Sequence, residues 1–454
     1  MKWLQEQAQL NPDHLFLDDY SYKEIYERVI QTAYQLNTKV SKYPRIALLS
    51  ENSINMVVVL FALWVLDKEV LLLNTHLTER EINEQLIELD VELVIKSDQH
   101  SFSSSGQIFC FSEIENLPIK TVQYLNWDPK PEQILALMNT SATTGKFKSV
   151  PITWKMICHH VEASASVLGV TSDDNWLIIL PIFHVSGLSI IMRTLYNGTQ
   201  ATILDHFDPE QVLRFINETS VNMISLVPTL LKGIYNKITP HALRLILLGG
   251  EYIPHVLIQN CLELKLPIYK TYGMTETFSQ SVTFNILDHP DKLNAVGKAL
   301  DGVQISISNP DSDGIGEIQL DSPMLIDSYL NQSMTHPFTT GDIGYIDDDN
   351  FLYILNRRKD IIISGGENIY PKEIEDLVYT LDGVNDCALV PKADEKWGQV
   401  PVLFYSGTAT VQDILDFLTA RIAKYKLPQS IIPLEHLPKT ATGKILRKDL
   451  KIED

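Results

Sequence analysis

A chain of 454 residues with 45% apolar and 21% charged side chains is long enough for two or three domains with sizeable cores, and its composition excludes disordered and fibrous classes. A formal net charge of −20 argues against a general nucleic-acid or anionic-membrane binder. The longest apolar run, from Met56 to Leu66, is too short to cross a bilayer and has no basic flank of the signal-peptide kind.

Helices and strands alternate from the start. Ser21 to Leu36 has helical spacing, Arg45 to Leu49 reads as a strand, and Asn52-Ser53 caps the apolar helix that follows. Val70 to Leu73 resumes as strand. Thr78 to Leu89 is an amphipathic helix opened by a capping box, with Glu81 three residues after Thr78, and Leu93 to Lys96 is another strand. Strands separated by helices of this length imply βαβ units in a largely parallel sheet. From Ser101 to Pro131 the pattern dissolves into a polar connection.

Ile134 to Met138 is a buried strand, Thr153 to Leu168 a helix, and Trp176 to Pro181 a buried strand running into Ile182-Phe-His-Val-Ser-Gly187. A second α/β repeat follows: strand Thr202 to Leu204, helix Pro209 to Glu218, strand Met223 to Leu226, and strand Arg244 to Leu248 ending at Gly249-Gly250-Glu251. Strand ends that face glycine-rich turns are where open α/β sheets bind ligands. Between Val303 and Tyr353, short β segments and Gly/Asp turns predict a small distorted β-barrel.

A boundary at Asn356-Arg357 separates a large domain, residues 1–355, from a small α+β unit, residues 356–454. The latter has a helix from Pro371 to Leu381, strands near Ala388 and Val402, and a helix from Val411 to Ala423. The fold class is therefore α/β, with mainly parallel sheets. Cys110, Cys158, Cys261 and Cys387 lie far apart without metal-ligand spacing, which predicts reduced thiols in a cytoplasmic protein.

The stretch Thr140-Ser141-Ala142-Thr143-Thr144-Gly145-Lys146-Phe147-Lys148 is hard to explain as core. Hydroxyls and free backbone N–H groups on a turn can donate to phosphate oxygens, and lysines add charge without a fixed fork geometry. It is not a Walker loop, because Thr140 and Phe147 stand where that motif needs Gly and Ser or Thr.

This stretch resembles the signature loop of the adenylate-forming acyl-CoA synthetase superfamily, with Ala142 in place of a glycine and Phe147 in place of a proline. The resemblance implies that Thr140, Ser141, Thr143, Thr144, Gly145 and Lys146 hold the phosphates of ATP. Further motifs follow in family order. In Tyr272-Gly273-Met-Thr275-Glu276-Thr277, the resemblance implies that the ring stacks on adenine, Thr275 contacts the α-phosphate and Glu276 coordinates Mg²⁺. A hard cation held by one carboxylate and nucleotide phosphates is ordinary magnesium chemistry. Gly249, Gly250 and Glu251 match the adenine-side turn, and Asp342 and Arg357 match positions that grip the ribose hydroxyls.

Lys359 matches the pivot about which a mobile C-terminal lid turns, Gly365 and Gly366 a turn lining the channel for coenzyme A, and Lys444 in Pro438-Lys-Thr-Ala-Thr-Gly-Lys444 the catalytic lysine. From Arg357 onward the chain carries 14 Lys+Arg and 15 Asp+Glu, a net of 14 − 15 = −1, leaving −19 on the first 356 residues. A nearly neutral lid is the better place for a polyanion such as coenzyme A to approach. His184 and Ser186 resemble the acyl-pocket segment of a member that activates an aromatic dicarboxylic acid, with Gly273 lining the same pocket and Arg193 receiving the second carboxylate, directly or through water. The implied substrates are ATP, coenzyme A and that acid. Another aryl- or fatty-acid–CoA ligase, a carrier-protein-loading enzyme and a nucleotide-binding homologue without catalysis stay open, as does a homo-oligomer.

Overall fold

Four sheets organise the computed structural model, which describes residues 1–104, 106–141, 147–238, 242–251, 253–330, 332–357, 360–364, 367–394, 397–422, 424–440, 443 and 445–450. The first sheet has nine strands. Its centre runs Ile268–Met274, Leu245–Leu248, Met223–Leu226, Asn175–Ile178, Gln200–Ile203 and Leu15–Leu17, all parallel. Leu245–Leu248 and Met223–Leu226 are buried at every position, as strands covered on both faces must be. The chain leaves Asn175–Ile178 towards one edge and Met223–Leu226 towards the other, so a crevice opens between their carboxyl ends.

The second sheet runs Gln107–Cys110, Leu93–Lys96, Arg45–Leu49, Glu69–Leu72, Ile134–Ser141 and Phe147–Thr153, parallel except for the last strand. That strand closes an edge hairpin on Ile134–Ser141, and the hydroxyl-rich stretch joins the two. Between the sheets lies the helix Ile54–Val65, capped by Ser53 and buried from Met56 onward. A helix apolar on all sides is stable only inside such a sandwich. Its Trp64 Nε1 donates to Leu135 O at 2.6 Å, so the burial leaves no orphaned indole N–H.

Gln304–Ser308, Gly316–Asp321, Phe338–Ile346 and Leu352–Arg357 form an antiparallel sheet in simple succession. The expected barrel does not close among the described residues, because the first and last strands do not pair and four short strands are too few to curl round. Instead, Leu352 and Gly297 pair to tie this sheet to the first. The polar connection from Ser101 to Pro131 holds a strand, Gln107–Cys110, and a short helix, Phe111–Glu115. Helices Val185–Asn197, Pro228–Ile234 and His255–Glu263 also went unread in the sequence. The first of these is buried at every position from 187 to 195, its polar Ser189 and Arg193 included, and Ser186 and Gly187 at its start read as a loop.

The last sheet comprises Ile362–Ser364, Glu367–Ile369, Gly398–Gly407, Val384–Asp394 and Ser430–Pro433, with helices Pro371–Val378 and Val411–Thr419 on it. Its Glu375 is buried and forms a bidentate pair with Arg447 at 2.6 and 2.7 Å, while accepting from Leu389 N at 2.6 Å. All four cysteines are free thiols, and no helix of the described residues is long and apolar enough to cross a membrane. Replacing Arg447 with Met strands a buried carboxylate, and urea denaturation should show a loss of about 3 kcal/mol; a change below about 1 kcal/mol would mean the pair is not a structural anchor.

Candidate active site

The strand Ile268–Met274 bends at its end. Register with Ser279–Asn285 slips between Tyr272 and Gly273, and a Cβ on Gly273 would lie 1.5 Å from Ser279 O, so only glycine fits. A short 3₁₀ turn, Thr275–Thr277, follows, and Phe278 and Ser279 return the chain with φ of +50° and +100°. This reversal presents Tyr272, Thr275 and Glu276 at one end of the sheet.

Each of two side chains there is held from outside. Tyr272 donates its hydroxyl to Asp342 Oδ2 at 2.6 Å, and Asp342 is buried. Asp342 stands opposite Arg357 in the strand register, so the two ribose candidates sit on neighbouring strands; the Arg357 side chain lies outside the described residues. Glu276 Oε1 accepts from Tyr329 Oη at 2.8 Å, and burial with that carboxylate beside it pushes the phenol well above its ordinary value. Lys148 Nζ lies 4.6 Å from the Tyr329 ring centre, bringing the hairpin's cation beside the same carboxylate arm. Tyr329 was not singled out in the sequence, because it lies 53 residues from Glu276 with no motif around it.

The adenine-side turn closes the neighbouring strand. A Cβ on Gly249 would meet Thr271 Cγ2 and O at 2.6 Å, and Gly250 has φ of +83°. Glu251 Oε2 accepts from Thr229 Oγ1 at 3.2 Å. Thr140 ends its strand with Oγ1 3.5 Å from Lys148 O. Of the remaining phosphate-loop candidates, Thr143, Thr144, Gly145 and Lys146 lie outside the described residues, as does the side chain of Ser141. Lys359, Gly365, Gly366 and Lys444 lie outside them too, while Gly443 is within.

His184 stands at the N-cap of the helix Val185–Asn197, in the turn that follows the carboxyl end of Asn175–Ile178 and packs against Asn52 and His76, and Ser186 stands in the helix's first turn. The ring packs on Phe183 at 4.8 Å, and burial, with His76 nearby, lowers its pKa from 6.5 to about 4. It is neutral at pH 7. Arg193, two turns on, is 2% exposed. Its Nε donates to Ser164 Oγ at 2.9 Å, Nη1 to Ser189 Oγ at 3.1 Å, and Nη2 to Gln280 Oε1 at 2.7 Å, with His160 Nε2 2.8 Å away. A direct contact between Arg193 and a substrate carboxylate therefore does not fit: the guanidinium faces four neutral side chains inside the body. His160 is neutral because burial and Arg193 both drive its pKa far down. Burial lowers Arg193 itself only to about 9, so it stays charged at neutral pH.

Hydroxyls on an edge hairpin, a carboxylate arm, a buried carboxylate held by a tyrosine and a neutral histidine suit a nucleotide on one side and an organic acid on the other. The AMP-binding enzyme family model matches residues 4–330, and that of the AMP-binding enzyme C-terminal domain matches residues 373–444. The chain belongs to this family of AMP-binding enzymes. It is 59% identical over 452 residues to a 2-succinylbenzoate–CoA ligase of Lactococcus lactis, covering 99% of this chain and 100% of the relative, and 34% identical to one of Bacillus cereus, covering 99% and 98%. An o-succinylbenzoate CoA synthetase of Bacillus subtilis, solved with its acyl-adenylate intermediate, superposes with a TM-score of 0.92 at 33% identity, over 100% of this chain and 98% of that one. The same enzyme with ATP and magnesium gives 0.90 at 32% identity, over 99% and 98%. Within the AMP-binding enzymes, the chain thus falls in the 2-succinylbenzoate–CoA ligase family.

Two outcomes follow from this geometry. Tyr272→Phe removes the donor to a buried carboxylate and should weaken AMP binding roughly 5- to 30-fold by calorimetry, the equivalent of about 1–2 kcal/mol; unchanged affinity would disconnect the pair from nucleotide binding. For His184 the folded pKa lies below the unfolded one, so the unfolded state takes up its proton first. Stability should fall as pH drops from about 6.5 to 4, and the fall should be shallower in His184→Asn when denaturation is followed across that window.

Proposed function

We propose that the protein is an ATP-dependent acid–CoA ligase that converts o-succinylbenzoate, ATP and coenzyme A to o-succinylbenzoyl-CoA, AMP and pyrophosphate in menaquinone biosynthesis. The observation that carries this reading is the convergence of Tyr272–Asp342, Glu276–Tyr329 and the Gly249 turn at one sheet end, in a chain collinear with 2-succinylbenzoate–CoA ligases over its whole length.

Tyr272 and the Gly249–Glu251 turn take the adenine, and Asp342 with Arg357 takes the ribose. The hairpin loop from Thr140 to Lys146 takes the outer phosphates. Glu276 fits the magnesium that accompanies ATP: Tyr329 occupies one carboxylate oxygen and leaves the other for a hard cation carried in on phosphates. Bound there, magnesium supplies charge neutralisation at the phosphates. Among the described residues no cluster of three or more His, Cys, Asp or Glu forms a cation cage, which suits a metal that the nucleotide helps to hold.

In the first half-reaction a substrate carboxylate oxygen bonds to the α-phosphorus as the bond to the bridging oxygen of pyrophosphate breaks. Thr275 contacts the α-phosphate and Lys444 stabilises the charge that accumulates there. In the second, residues 356–454 turn about Lys359 so that Gly365 and Gly366 line the way in, the thiolate of coenzyme A attacks the acyl carbon, and AMP leaves. His184, which is neutral, borders the acid with Ser186 and Gly273, and shapes the pocket without adding a charge. Arg193 acts from behind this wall: its field, passed through Ser189 on the same helix, favours a second carboxylate at longer range.

Pyrophosphate exchange distinguishes the acid. Exchange with o-succinylbenzoate should exceed that with benzoate or a medium-chain fatty acid at least tenfold, and equal rates would remove the substrate assignment. Lys444→Ala should lower exchange 100-fold or more while coenzyme A transfer from supplied acyl-adenylate stays within about threefold, since removing one such electrostatic contact costs roughly 10²–10³ in rate.

A further inference from the structure

The helix Pro228–Ile234 starts directly after Met223–Leu226, and its second residue meets the C-terminal unit. Thr229 Oγ1 lies 3.2 Å from Glu251 Oε2 and 3.5 Å from Gly443 O. The fit at the glycine is close: a Cβ at position 443 would lie 2.8 Å from both Thr229 Cβ and Cγ2 and 2.9 Å from Oγ1. Gly443 also has φ of +94°, which L side chains resist. One turn along the same helix face, Lys232 Nζ donates to Asn385 O of the C-terminal unit at 2.6 Å.

The segment bearing Gly443 is anchored to its own unit. Lys439 pairs with Asp386 at 2.9 Å, Leu446 N donates to Pro438 O at 2.8 Å, and Arg447 holds Glu375. Gly443 N further donates to Thr440 O at 2.9 Å. What the body meets at Thr229 is therefore a loop whose stem cannot slide without the whole unit moving. The contact is also weak. A hydroxyl has one proton, and of its two acceptors the Gly443 carbonyl is at the outer limit of a hydrogen bond. When the unit turns away, the proton can pass wholly to Glu251 and no buried group is orphaned.

From this arrangement we infer that Thr229 is the stop against which the C-terminal unit seats for adenylate formation, a positioning residue that sets the depth of Lys444, the next residue after Gly443. The inference rests on the reading of Lys444 given above. A stop that acts by shape fixes an end-point without adding adhesion, so the unit can leave for the second half-reaction. Bulk at Thr229 should hold Lys444 away from the nucleotide and leave the other orientation untouched.

The two half-reactions separate this role from a merely structural one. Thr229→Leu should lower ATP–pyrophosphate exchange at least tenfold relative to Thr229→Val, which removes the same hydroxyl from Glu251 without the added length, and should leave transfer from supplied acyl-adenylate to coenzyme A within about threefold of Thr229→Val. Thr229→Ser should keep exchange within about threefold of the parent. Gly443→Ala, which crowds the same contact from the other side, should repeat the Thr229→Leu pattern, and thermal melts will show that each variant is folded. Equal loss in both half-reactions, or full exchange in Thr229→Leu and Gly443→Ala, overturns the inference. If Lys444→Ala retains full exchange, the reading of Lys444 fails instead, whatever Thr229 does.

Discussion

The close approach of the backbone at Gly273 to Ser279 is the constraint on which the site depends. With a carbonyl oxygen where a side chain would begin, the pairing must slip by one residue, and the slip produces the turn that aims Tyr272 and Glu276 outward. The left-handed conformations of Phe278 and Ser279 are unfavourable for such residues. Phe278 offsets its own by being fully buried, with its ring 5.2 Å from that of His160 in an edge-on contact. His160 in turn faces Arg193, and Gln280, two residues past Phe278, accepts from the same guanidinium. The reversal that presents the nucleotide side is thus packed against the helix that carries His184.

The boundary between body and C-terminal unit has a different character. Three polar contacts cross it: Thr229 to Gly443, Lys232 to Asn385, and Lys372 to the carbonyl of Ile354 at 2.5 Å. Lys372 is lowered to about 8 by burial, against the opposing pull of Asp342 and Glu375. A buried ammonium next to the carboxylate that Tyr272 holds links the C-terminal unit to the Tyr272–Asp342 pair. Point contacts of this kind, unlike an apolar interface, can be broken and remade without exposing a large hydrophobic area.

Local chemistry decided how much could be read beforehand. Strands Arg45–Leu49, Leu93–Lys96 and Met223–Leu226 were legible as short apolar runs, and helix Pro209–Glu218 because Asp208 caps it ahead of Pro209 and its Val212 and Ile216 share one buried face. Thr78 and Glu81 form the capping box their spacing promised. Helix Val185–Asn197 was not legible, since Ser186 and Gly187 at its start read as a loop; yet a Cβ at Gly187 would lie 2.3 Å from Pro181 O, so the glycine is there for packing. At the site, the residue types of Tyr272, Glu276 and Asp342 could be named from motifs. Tyr329, Thr229 and His160, which partner Glu276, Glu251 and Arg193, could not, because each pairing is made by the tertiary fold across many residues of sequence.

Arg193 shows the same limit from the other side. As a sequence feature it is a cation nine residues past His184, and a dicarboxylic acid makes a direct ion pair the simplest idea. In the fold it is surrounded by Ser164, Ser189, Gln280 and a neutral His160, with the Trp176 ring 5.3 Å from the guanidinium carbon. Those groups engage all three nitrogens of the guanidinium but leave its charge uncompensated. A carboxylate placed among them would form a closed, neutral pair and cancel the field outside. The neutral shell instead holds the cation in a fixed, dry setting on the helix that His184 opens, where none of these partners cancels its charge.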